Sequence, residues 1–144
     1  MKNVLFIVHA EEMFRKFFPD DLYAHRLLKA YNCKKYDQVW FLESELDNEG
    51  LAGFLQTEVD DCDRICWGWG YEKDMFNEDE HEWVIDALGH EFTWVPTELR
   101  EMANSLKRAN VFVGGGYESE CLQDWCDCLD FMDIEYQKIS GYIY

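Results

Sequence analysis

The chain is expected to fold as an α/β domain, a mostly parallel, Rossmann-like sheet of about six strands inside a three-layer α/β/α sandwich. Three observations lead there. Apolar runs of strand length recur along the 144 residues. Several are apolar throughout and do not alternate, as suits strands covered on both faces. Helical patterns separate most of them, as in successive strand–helix–strand units.

The elements follow in order. NVLFIV (residues 3–8) and QVWFLE (38–43) read as the first two strands. Between them, a helical pattern over residues 19–31 has Asp20 as its N-cap and Leu22, Leu27, Leu28 and Ala30 as apolar positions. EEMFRKFF (11–18) reads as a lid or an extra helical turn, and residues 51–54 as a short helix. RICWG (64–68) is the third strand. Residues 79–88, with Trp83, Val84, Ala87 and Leu88 at helical spacing, predict a helix before a fourth strand, FTWV (92–95). Thr97 caps a helix over residues 97–109, with Leu99, Met102, Ala103 and Leu106 on one face. NVFVG (110–114) and IEYQKIS (134–140) complete the strands. The clearest helix spans residues 118–132: Cys121, Leu122, Trp125, Cys128, Leu129 and Met132 form its apolar stripe, and acidic residues fill the rest.

Composition bounds the possibilities. With 48% hydrophobic and 17% aromatic residues and only two prolines, residues 1–144 supply a core for one domain. Thirteen basic against 30 acidic residues give a formal net charge of −17. That surface repels phosphate backbones and anionic lipid, which argues against direct nucleic-acid or membrane binding and favours cationic partners, such as a basic protein groove. The opening apolar run VLFIV is too short for a signal core or a membrane span. Six cysteines without C-x-x-C spacing are expected to be reduced thiols in the cytoplasm.

Open parallel sheets bind ligands beyond the carboxyl ends of their strands. Those ends carry His9, Glu11 and Glu12 after the first strand; Glu43, Ser44 and Glu45 after the second; Gly68, Trp69, Gly70, Tyr71 and Glu72 after the third; and Gly114, Gly115, Gly116, Tyr117 and Glu118 after the fifth. The order G-x-G-Y-E occurs at both glycine corners. Glycines let a ligand approach backbone amides at a helix start. Neither corner matches G-x-G-x-x-G, however, and Glu118 and Glu120 disfavour a phosphate there unless a metal intervenes. Trp67, Trp69, Tyr71 and Tyr117 are suited to stacking on a planar or cationic ligand, to core packing or to a partner interface. Cys121, near a helix N-terminus, is the candidate nucleophile, with His9 as its base and Glu11 or Glu12 orienting the imidazole. Cys121 equally fits the buried stripe of its helix. No Cys/His spacing suits structural zinc, while the rim carboxylates leave a loosely held magnesium open.

The segment NVFVGGGYESECLQDWCDCLDFMDIEYQKIS resembles the isochorismatase and nicotinamidase group of cysteine hydrolases, over about the last quarter of the chain. That family runs a strand into a small-residue corner, then a helix whose first turn carries the nucleophilic cysteine, then another strand. Gly115 stands six residues before Cys121, as the family's G-x-x-x-x-x-C pattern places it. The resemblance implies the α/β fold and a nucleophilic role for Cys121. At the end of the first strand, where the family carries an aspartate, this chain has Val8 and His9, with Glu11 the nearest acid; no lysine lies between Lys73 and Lys107 to match the family's catalytic lysine.

Three functions follow as expectations. The first is a small-molecule hydrolase using Cys121, His9 and Glu11, or a relative of one that has lost its chemistry. The second is an acidic, non-enzymatic inhibitor that occupies a basic groove. The third is a protein that binds nucleotide derivatives through the glycine corners. Association with further copies of the chain is left open by all three.

Overall fold

The computed structural model describes residues 1–43, 63–66, 81–84, 93–96 and 103–144. Its strands are β1 (Asn3–Val8), β2 (Gln38–Glu43), β3 (Asp63–Cys66), β4 (His81–Val84), β5 (Thr93–Pro96), β6 (Asn110–Gly115) and β7 (Gln137–Ile143). Its helices are a 3-10 helix (Glu12–Phe17), α1 (Tyr23–Asn32), α2 (Ala103–Leu106) and α3 (Cys121–Phe131).

Five strands form one parallel sheet in the order β3-β2-β1-β6-β7. The chain steps outward from β1 through β2 to β3, then returns to the other side of β1 for β6 and β7. The order therefore reverses between β1 and β6, where Val4 lies opposite Val111, Phe6 opposite Val113 and Val8 opposite Gly115.

Alternation along these strands divides the core. Val4, Phe6 and Val8 of β1 join Trp40, Leu42, Val111 and Val113 on the face that packs α3. Leu5 and Ile7 join Val39 and Phe41 on the face that packs α1. Both faces of β1 are thus covered, which is why its sequence is apolar without alternation. On α3 the expected stripe is buried from Cys121 to Met132, and the Trp125 ring meets Phe6 at 5.1 Å between centroids. Asp124 and Asp127, expected among the solvent-facing acids, are buried instead, and Gln123 Nε2 donates to Asp127 Oδ1 at 3.0 Å.

Among the described residues the sheet has five strands, and the predicted fourth strand lies outside it. β5 pairs antiparallel with β4 as a separate two-stranded sheet, with Trp83 opposite Trp94. β4 occupies part of the predicted helix at residues 79–88. The spacing of its apolar residues fits a helix locally, but the ladder to β5 satisfies its backbone in extended form. The last strand begins later than the predicted 134–140: Ile134 is buried in the cluster under α3, and pairing starts at Gln137.

Asp20 does not cap α1. Its Oδ1 accepts the Leu22 N–H at 2.8 Å in a turn, and the carboxylate receives Arg26 Nη1 at 2.9 and 3.1 Å. The helix then begins at Tyr23, leaving Leu22 exposed while Tyr23, Leu27 and Ala30 are buried. Of the predicted helix at 97–109, residues 103–109 are described: α2 ends at Leu106, earlier than expected, and residues 107–109 turn into β6; Thr97 and the short helix at 51–54 lie outside the described residues.

Candidate active site

In a sheet of this kind the two sets of crossovers leave for opposite faces where the order reverses, and a crevice opens beyond the strand ends. Here that place is the end of β1 and β6. β1 stops at Val8, and His9 turns left-handed at φ 54°, which costs a residue with a Cβ about 1–2 kcal/mol. Two bonds hold it: the His9 N–H donates to the Leu42 carbonyl at 2.9 Å, and its own carbonyl accepts the Tyr144 hydroxyl at 2.5 Å.

The turn also sets the direction of the imidazole. Strand alternation would send residue 9 to the α1 face with Leu5 and Ile7, but Cys121 belongs to the cluster on the α3 face. In the observed geometry His9 Nδ1 contacts Glu11 Oε1 at 2.5 Å, and the imidazole also shares a hydrogen bond with Cys121. Phe14 of the 3-10 helix stacks on the ring at 4.4 Å. His9 and Glu11 are buried, and Cys121 is nearly so at 8% exposed. Burial works against the imidazolium, yet the hydrogen bonds to Cys121 and Glu11, with the attraction of the same two groups, outweigh it and hold His9 up at about 9. The structure therefore brings together the three residues singled out as nucleophile, base and orienting acid.

The glycine corner packs closely against the chain itself. At Gly115 φ is +96°, and a Cβ would collide with the Val8 backbone; at Gly114 it would lie 2.7 Å from the Tyr142 Cβ; at Gly116 it would lie 2.5–2.6 Å from the Tyr144 ring. The room beside all three glycines is taken up by Val8, Tyr142 and Tyr144 of the chain itself. The amides are committed as well: Gly116 N–H donates to Val8 O at 2.9 Å and Glu118 N–H to Tyr144 O at 2.8 Å. The Cys121 N–H, at the first position of α3, is one of the helix-opening amides without an intrahelical acceptor. Tyr117, half exposed, and Glu118, exposed, remain on the rim.

Tyr144 was not singled out by the sequence. Its ring packs on Phe18 and Tyr23, at 5.2 and 5.6 Å between centroids. Burial first, then Tyr23 and the charges of Glu11 and Cys121, keep its hydroxyl well above the usual phenol value, so it remains a donor.

Ser44, Gly68, Trp69, Gly70 and Tyr71, expected on the same rim, lie outside the described residues. Glu43 is described, buried at the end of β2. Among the described residues no group of three His, Cys, Asp or Glu side chains is placed to hold a metal ion, and no helix is long and apolar enough to cross a membrane. An open depression of about 750 Å3 lies at the other end of α3, lined by Asp130, Asp133, Ile134, Glu135 and Tyr136.

Fold and site together define a parallel α/β protein with a buried Cys–His–Glu cluster at the reversal of its sheet. Comparison with protein-family models, curated proteins and solved structures finds no match to this chain.

Proposed function

We propose that this chain is a cysteine-dependent hydrolase of small molecules, an isochorismatase-like domain of three α/β/α layers working in the cytoplasm. The observation that carries this reading is the contact of His9 with both Glu11 and Cys121 at the switch point of the sheet. A cation beside a sulfur favours its thiolate, and a carboxylate on the far side of the imidazole fixes that ring in place.

The chemistry is acyl transfer to the sulfur and then to water. Cys121 Sγ, its proton on His9, attacks the carbonyl carbon of an ester or amide, and the carbonyl oxygen becomes an oxyanion near the Cys121 N–H. The C–O or C–N bond breaks, and the leaving group takes the proton from His9. A water then gives a proton to His9 and attacks the thioester, releasing the carboxylic acid and returning the proton to the His9–Cys121 pair. Glu11, in contact with the ring through Oε1, holds the imidazole in place and stabilises the imidazolium.

Iodoacetamide tests this in the folded protein, with exposed Cys33 as the internal reference. Near pH 7, Cys121 is expected to react at least about tenfold faster than Cys33, as an activated thiol should. His9→Ala removes that advantage. Cys126, buried and pushed up to about 11 chiefly by that burial, stays unmodified. If Cys121 reacts only once the protein is unfolded, the nucleophile is wrongly assigned.

A further inference from the structure

The bond that sets the direction of His9 comes from a residue far away in sequence. Tyr144 follows β7, the edge strand beside β6, and reaches over the glycine corner to the end of β1. Its path depends on Gly116: the ring occupies the space where a side chain at that position would be, 2.5–2.6 Å from an added Cβ. From there the hydroxyl donates to the His9 carbonyl at 2.5 Å.

We infer that Tyr144 is a positioning residue for the Cys121–His9 pair: its hydroxyl holds His9 in the left-handed conformation that turns the imidazole from the α1 face to the α3 face, where Cys121 lies. The inference rests on the hydrolase reading and names a component that reading does not contain. An unsupported residue 9 relaxes toward the extended backbone of the strand, because the left-handed form is disfavoured for any residue with a Cβ. The His9 N–H to Leu42 bond fixes only the peptide before the residue; the Tyr144 hydroxyl fixes the one after it. Both are needed to hold φ and ψ together. The packing of the ring on Phe18 and Tyr23 sets the hydroxyl in place before any ligand arrives.

Tyr144→Phe keeps the ring and removes the donor. In this variant the iodoacetamide rate constant of Cys121 is expected to fall about ten- to a hundredfold, the cost of misplacing a reacting group by about an ångström. The His9 titration midpoint, followed by NMR, is expected to move down from about 9 toward its ordinary value as contact with Cys121 and Glu11 loosens. Tyr36→Phe removes only the hydroxyl of a ring packed on Phe112 in the α1-side core and leaves both readings at their wild-type values. A merely structural Tyr144 would change the unfolding temperature and neither of these quantities.

The outcomes separate the two claims. If wild-type Cys121 is inert in the folded protein, the hydrolase reading fails. If wild-type Cys121 is fast and Tyr144→Phe equally fast, with His9 still titrating near 9, the hydrolase reading stands and the role of Tyr144 is overturned. A second measurement needs no variant: in the wild type the Tyr144 hydroxyl proton is expected as a slowly exchanging resonance with nuclear Overhauser contacts to His9. Exchange at the rate of a free phenol overturns the inference even if the variant does not fold.

Discussion

Gly115→Ala is expected to cost more than about 4 kcal/mol, beyond the range of ordinary substitutions and a large share of the about 5–15 kcal/mol that stabilises a typical domain. Two causes act at once. The φ of +96° disfavours any residue with a Cβ, and the added carbon would sit in the backbone of Val8, 2.7 Å from its carbonyl carbon and nearer still to its N and O. Flexible side-chain ends can give way to such a contact; a main chain paired on both sides cannot. Val8 closes β1, the central strand, and is held between Leu42 of β2 and Gly115 itself. Relief requires β6 to leave β1, and the site at their shared end goes with it. Gly141 supplies the comparison, since a Cβ there meets nothing within 4 Å; Gly141→Ala is expected to change stability by less than about 0.5 kcal/mol. Urea unfolding of the two variants measures the difference. Equal midpoints would mean that the packing of β6 on β1 at Gly115 is not as described.

The elements legible in the sequence are those whose environment repeats along the strand. β1, β2 and β6 are covered on both faces, so burial writes continuous apolar runs at the expected positions. β5 is a strand where one is expected, but β4 stands where a helix is expected, because an antiparallel partner some ten residues away leaves no mark on helical spacing: Trp83 and Val84 fit either period. β7, an edge strand, is largely exposed at Gln137, Lys138, Ser140 and Gly141, so its register depends on where β6 accepts it. That register also breaks between Val113 and Gly115.

The site divides along the same line. His9, Glu11 and Cys121 were readable because strand ends and helix starts are marked locally by residue type, and a parallel sheet gathers them at one edge. Phe14 and Tyr144 were not: the Phe14 stacking follows from the turn at His9, and the Tyr144 bond depends on which strand neighbours which. Once β7 is known to lie beside β6, an aromatic residue just beyond it, opposite a glycine corner, becomes a candidate. The close packing at the glycines was hidden for the same reason: nothing in a run of three glycines tells that Val8, Tyr142 and Tyr144 come to lie beside them.

Stability is expected to fall by about 3 kcal/mol as pH rises from 6.5 to 9, with His9 as the source. The imidazole titrates at 6.5 when free and at about 9 in the folded chain, so the folded state binds the proton more tightly. Below pH 6.5 both states carry the proton and the full contribution is present. Between the two values the unfolded chain has released it while the folded chain keeps it, and stability drops with each step in pH. Above about 9 both are neutral and the contribution is gone. The other shifted groups among the described residues act elsewhere: Asp20 below its ordinary 3.8, Cys126 between 9.0 and about 11, and the buried tyrosines above 10.0. The window is therefore specific to the site. His9→Gln flattens the curve of unfolding free energy across it. Glu11→Gln narrows it from the upper end, because losing an adjacent carboxylate lowers the His9 value by about one to three units while burial continues to oppose the charge. Urea unfolding at half-unit steps of pH tests the set. A wild-type curve as flat as that of His9→Gln would mean that His9 is neutral in the folded protein and that Glu11 and Cys121 do not hold a proton on it.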